Sequence, residues 1–105
     1  MTTSNSTIRA NVTFRNTDSS EPVRQYAIEK IGHCIKKFIH HDSEINIVLK
    51  VEKNRQIAEV TFHSDGSDFN ASQESETMYS SIDLLVDTVA NMLRKHKEKL
   101  IKHHY

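Results

Sequence analysis

From Ile8 to Arg15 every second residue is apolar: Ile8, Ala10, Val12 and Phe14 alternate with Arg9, Asn11, Thr13 and Arg15. A period of two is that of a strand with one buried face. The polar cluster Asn16 to Glu21 ends the strand; Ser20 can cap a helix, and Pro22 suits a first turn, where its missing N–H costs nothing. From Val23 the period lengthens. Tyr26, Ala27, Ile31, Cys34, Ile35 and Phe38 recur at three- and four-residue steps and predict a helix to about Ile39. Period two returns in Ile45, Ile47, Leu49 and Val51 and, after the polar turn Lys53 to Gln56, in Ala58, Val60 and Phe62, which together predict a hairpin. Gly66 lies in a Ser/Asp-rich break, and Phe69, Ala71 and Gln73 supply a weaker fourth strand, antiparallel to its predecessor. Thr77 is the expected cap of a second helix, in which Met78, Ile82, Leu85, Val86, Val89, Leu93, His96 and Leu100 hold a helical period for about 25 residues, roughly 37 Å.

The order β-α-β-β-β-α predicts an α+β fold, one four-stranded sheet with both helices packed on the same face. Alternation in each strand, in place of continuous apolar runs, means that the other sheet face meets solvent or a partner. At 105 residues the chain is expected to form a single domain over 7–102, with a flexible N-terminus over 1–6, rich in Thr, Ser and Asn, and a short C-terminal end over 103–105.

Lys and Arg number 14, as do Asp and Glu, yet the signs are segregated: Ser64 to Ala90 holds six acids and no base, and Asn91 to Tyr105 holds five bases and one acid. The second helix therefore ends in Arg94, Lys95, Lys97, Lys99 and Lys102, and the first carries Arg24, Lys30, Lys36 and Lys37 outward against Glu29. A lysine-rich helix end is often only a solvated face that suits the macrodipole, but two such helices on one sheet face make a continuous positive ridge. Such a ridge is what a phosphate backbone requires. The aromatics do not form a ladder for stacking single-stranded bases: Phe14, Phe38, Phe62, Tyr26 and Tyr79 fall in buried registers. Recognition of folded RNA by shape and phosphate is the expectation.

Other chemistry finds little support. Seven histidines include the pairs His40-His41 and His103-His104, but adjacent helical residues diverge by about 100° and seldom share one ion. Solvated or partly packed histidines are expected, with His96 a candidate for turning toward phosphate when protonated. Cys34 falls in the apolar helical register and reads as an inert core thiol. Asp83 and Asp87 stand one turn apart without a nucleophile or phosphate loop, and two glycines in the whole chain leave no glycine-rich cradle. No enzyme activity, cofactor or metal site is expected. With one cysteine, no leader pattern and no long apolar run, the expected setting is the cytoplasm, away from membranes.

The run Ile47-Val48-Leu49-Lys50-Val51-Glu52-Lys53-Asn54-Arg55, then Met78-Tyr79-Ser80-Ser81-Ile82-Asp83-Leu84-Leu85-Val86-Asp87, then Arg94-Lys95-His96-Lys97-Glu98-Lys99-Leu100, resembles the ribosome hibernation promoting factor family. That family includes ribosome-associated inhibitor A and carries the older label sigma-54 modulation protein. The likeness extends from Ile8 to Lys102. It implies a fold similar to a double-stranded RNA-binding domain and non-catalytic binding to the 30S subunit and 70S ribosome through rRNA, where messenger RNA and the A- and P-site transfer RNAs lie. Translation would be blocked in stationary or stressed cells and inactive or dimerised ribosomes favoured.

Carried over from the resemblance, the basic positions fall on Arg24, Lys30, Lys95, Lys97 and Lys99, with Lys50, Lys53 and Arg55 in or beside the hairpin; Arg94 and Lys102 extend the patch on charge alone. Tyr79 is expected mainly to pack, and Asp83 to hydrogen-bond or pair with a base. Departures stand at Phe14, Thr17, Ser19 and Pro22, where the loop before the first helix is expected to differ in shape. Ending three residues after Lys102, the chain reads as a short member, a monomer that would need ribosome modulation factor for ribosome pairing. Two rivals are a general double-stranded RNA binder and a protein-interaction regulator that uses the open sheet face.

Overall fold

The computed structural model of the chain describes residues 7–102, with side chains through Lys99. The expected order is present: β1 (Ile8–Arg15), α1 (Glu21–Phe38), β2 (Ser43–Glu52), β3 (Arg55–Ser64), β4 (Ser67–Ser75) and α2 (Met78–Lys102). The four strands form one sheet in the order β1-β2-β3-β4, in which β1 and β2 run parallel and the two later pairs antiparallel. A parallel neighbour requires a crossover, and α1 supplies it.

Register makes the alternation collective. Val12, Ile47, Val60 and Ala71 form one row across the sheet, and Phe14, Leu49, Ala58 and Gln73 the next. All eight lie on the face covered by the helices, where Ile47, Leu49, Ala58 and Val60 are completely buried against Ile31, Ile35, Ile82, Leu85 and Val89. On β1 the same face is only half-buried, as befits an edge strand. The β2–β3 turn is tighter than expected: Lys53 and Asn54 form it alone, and Arg55 and Gln56 already pair with Glu52 and Val51. The fourth strand is a full one, nine residues paired along their length with β3. Asp65 and Gly66, both at positive φ, make the turn between them, a geometry that matches the twist of a two-residue hairpin.

Both helix starts are capped as the sequence indicates. Ser20 Oγ accepts from the Val23 amide at 3.4 Å, with Pro22 in the first turn, and Thr77 Oγ1 accepts from the Ser80 amide at 3.1 Å. Ser81, buried at the start of α2, donates to the Gln56 carbonyl at 2.5 Å and so ties that helix to the start of β3.

Candidate nucleic-acid interface

The two helices lie side by side and run in the same direction. Tyr26 meets Tyr79 and Asp83 near the starts of α1 and α2, and the Cys34 thiol reaches the Val86 carbonyl at 3.7 Å further along. Both C-termini therefore point to one end of the molecule. At 100° per residue, Tyr26, Lys30, Cys34 and Lys37 share the flank of α1 that faces α2, and Tyr79, Asp83, Val86, Ala90, Arg94 and Lys97 share the facing flank of α2. A groove of about 950 Å³ follows this seam and continues over α1, lined among others by Lys30, His33, Lys36, Lys37 and Arg94 against the acids Glu29 and Asp87. Lys36 and Lys37 belong to it as much as Lys30 does. Their outward helical register was the signal available in the sequence.

Among the described residues, Lys30, Lys36, Lys37, Lys95, Lys97 and Lys99 form no ion pair, whereas Arg94 donates to Asn91 Oδ1 at 2.7 Å. Lys36 and Lys37 in the last turn of α1, and Lys99 in that of α2, compensate the macrodipoles, and together with the other unpaired lysines they leave an unsatisfied positive field. The basic residues of α2 do not all face one way. Lys95 and Lys97 are about 160° apart around the axis; Lys97 and Arg94 face α1, and Lys95 and Lys99 lie on the flank toward β4. The side chain of Lys102, and residues 1–6 and 103–105 with His103 and His104, lie outside the described residues.

The remaining basic positions are elsewhere. Arg24 sits at the start of α1, its guanidinium 5.5 Å from the Phe14 ring, 3.5 Å from Glu21 Oε1 and 3.4 Å from the Val12 carbonyl. Lys50 and Arg55 project from the sheet face opposite the helices. Lys50 pairs with Glu59 at 3.1 Å and Glu52 at 3.7 Å, and the hydrogen bond it donates to Glu59 holds its ammonium above the ordinary lysine range. Arg55 makes a two-oxygen contact with Glu74 at 2.9 and 3.0 Å. Lys53 occupies the β2–β3 turn, at the end of the sheet where the helices begin. The hairpin bases and the helix C-termini thus stand at opposite ends.

Two aromatic expectations change. His96 does not turn outward: its ring packs edge-on to Phe69, and Nε2 lies buried 3.5 Å from Asp65 Oδ2, without hydrogen-bond geometry. Tyr79 does pack against Tyr26, edge to face, but it remains 44% exposed. Asp83 behaves as a hydrogen-bond acceptor, from the Tyr26 hydroxyl at 2.5 Å, with Lys30 5.6 Å from the Tyr26 ring centre. That hydrogen bond is the main reason the Tyr26 phenol is held above its usual pKa of 10.0. A folded pKa above the unfolded one means that the contribution to stability is present below pH 10 and fades as the pH rises through the folded value. In Asp83→Asn the Tyr26 transition is expected to move down toward 10, measured by ultraviolet titration; an unmoved transition would contradict this contact.

Cys34 is buried, and burial pushes its thiol up, so it stays protonated in the groove floor. Among the described residues no group of three His, Cys, Asp or Glu could hold a metal ion, and no helix is long and apolar enough to cross a membrane.

Comparison with known proteins gives this arrangement a context. The chain is 36% identical over 96 residues to the ribosome hibernation promoting factor of Klebsiella oxytoca, covering 91% of this chain and all of that one. The factor of the same name from Escherichia coli K12 is 33% identical over the same shares. A solved ribosomal subunit interface protein from Coxiella burnetii superposes with a TM-score of 0.71 at 26% identity, over 83% of this chain and 97% of that one. The N-terminal domain of Thermus thermophilus Protein Y shares the fold, with a TM-score of 0.74 at 16% identity over 84% and 98%. Residues 10–101, nearly the whole folded region from β1 to the end of α2, match the family described as sigma 54 modulation protein / S30EA ribosomal protein, and the chain belongs to that family.

Proposed function

We propose that the protein is a ribosome hibernation factor that binds the 30S subunit, alone or within the 70S ribosome, through rRNA of the decoding channel. The observation that carries this reading is the parallel course of the two helices, both ending toward one end of the molecule, with Lys30, Lys36, Lys37 and Arg94 along a shared groove and Lys97 one turn beyond Arg94 on the same flank of α2. The full-length similarity to hibernation promoting factors supports it. Bound there, the protein excludes messenger RNA and the A- and P-site transfer RNAs, halting translation in stationary phase or stress without chemistry of its own. Lys95 and Lys99, on the other flank of α2, reach a second rRNA segment, and Lys53 and Arg24 make a lesser contact at the far end. Lys50 and Arg55, already neutralised by glutamates, add least. The protein acts in the cytoplasm as a monomer, and ribosome modulation factor on the same ribosome drives pairing.

Co-sedimentation with 30S subunits and 70S ribosomes tests this at graded salt, with excess plain duplex RNA as competitor. Stoichiometric binding that survives the competitor is expected. If six to ten phosphates are contacted, affinity should drop by about 10³ to 10⁵ between 50 and 200 mM salt, following duplex-DNA behaviour. Loss to the competitor would reduce the protein to a general duplex RNA binder. Binding indifferent to salt would point to a protein partner.

A further inference from the structure

Of the two large apolar side chains exposed among the described residues, Leu84 lies on the α2 flank away from α1, whereas Tyr79 opens toward the seam between the helices. Tyr79 is fixed there. Its ring meets Tyr26 at 4.9 Å and 77°, and Tyr26 is itself held by its hydroxyl on Asp83. An edge-to-face contact occupies at most one face of Tyr79, which leaves a π-face for a ligand on a platform already ordered before binding. Lys30, 5.6 Å from the centre of the Tyr26 ring, brings a cation beside the ring on which Tyr79 packs, and from there the cations of the groove continue toward Lys37 and Arg94.

Charge decides what can sit on that platform. Asp83 is exposed next to the two rings and Asp87 follows one turn later, so a phosphate at this end meets two carboxylates. A neutral nucleobase beside them carries no charge to be repelled, and Lys30 is the cation at this end that offsets them for a phosphate. We infer that Tyr79 is a stacking site for one unpaired rRNA nucleobase, with the adjoining phosphate at Lys30 and the chain continuing along the basic half of the groove. This deepens the reading above and rests on it. Stacking on a tyrosine is worth about 1–3 kcal/mol per base, which corresponds to roughly 5- to 150-fold in affinity.

The test uses Tyr79→Phe, Tyr79→Leu and Tyr79→Ala, with affinity for 30S subunits measured by co-sedimentation at several salt concentrations. Phe keeps the ring and is expected to bind within about twofold of the unsubstituted protein, since the Tyr79 hydroxyl forms no hydrogen bond among the described residues. Leu keeps apolar bulk against Tyr26 without a π-face, and Ala removes both. Each should lose at least about fivefold. Because stacking displaces no counterions, the slope of log affinity against log salt should stay unchanged in all three, whereas Lys30→Gln should reduce it by about one. Melting curves confirm that the half-exposed site has not unfolded the variants. Leu binding as tightly as the unsubstituted protein would overturn the stacking site and leave the ribosomal reading standing, and so would a loss in Phe equal to that in Leu. Failure of the unsubstituted protein to bind 30S subunits would overturn both.

Discussion

Reversing charge at Lys37, Arg94 and Lys97 together is expected to abolish co-sedimentation with the 30S subunit at physiological salt. These residues stand on the facing flanks of α1 and α2, Lys37 in the last turn of α1 and Arg94 and Lys97 in the C-terminal third of α2. Three reversals change the local charge by six units in a field that no acid of the described residues neutralises by pairing. If each cation meets a phosphate, the variant loses three counterion-releasing contacts and gains three repulsive ones, a loss of at least about 10³ in affinity at moderate salt. The fold should survive. Glutamates near helix C-termini oppose the macrodipole by about 0.3–1 kcal/mol each at exposed positions, so the melting temperature falls without loss of cooperative unfolding. Circular dichroism melts alongside sedimentation separate the two effects. Undiminished association in a folded triple variant would remove the helix ends from the binding surface.

Ile47→Ala should have the largest effect on stability. Ile47 is completely buried on β2, between Val12 and Val60 in the register and beneath the helices. Deleting the buried methyl and methylene groups of such a side chain costs about 2–5 kcal/mol, part of it lost transfer energy and part the cavity left behind. Against the roughly 5–15 kcal/mol that holds a domain of this kind together, that is a large share. Urea unfolding should show a lower midpoint with a similar slope. A midpoint shift equivalent to less than about 1 kcal/mol would mean that the sheet and helices close around the gap more readily than this packing suggests.

The fold was legible because its periods are clean. Period two in Ile8–Phe14, Ile45–Val51 and Ala58–Phe62, and the three-four steps from Tyr26 to Phe38 and from Met78 to Leu93, follow from backbone geometry, which decides which residues share a face. The caps Ser20 and Thr77 were legible for the same local reason, a side-chain oxygen within reach of an orphan amide. The fourth strand looked weaker than it is because its centre alternates Phe69, Asn70 and Ala71, and a strand beside a long partner draws its stability from the ladder as well as from its own apolar side chains.

The six elements, the buried face of each, and the segregation of charge that ends α2 in bases were set locally; they depend on neighbours in the chain, whose spacing no tertiary contact can alter. Tertiary structure decided which charges act together. Lys30 and Lys37 are far from Arg94 in sequence, and only the parallel course of the helices, imposed by the β1–α1–β2 crossover and the β2–β3–β4 meander, places them along one groove. The same packing turned His96 inward against Phe69, left Tyr79 half open, and sent Lys50 and Arg55 to the opposite sheet face with glutamates beside them. A charge acts over distances through space, and distance between remote residues exists only once the chain has folded.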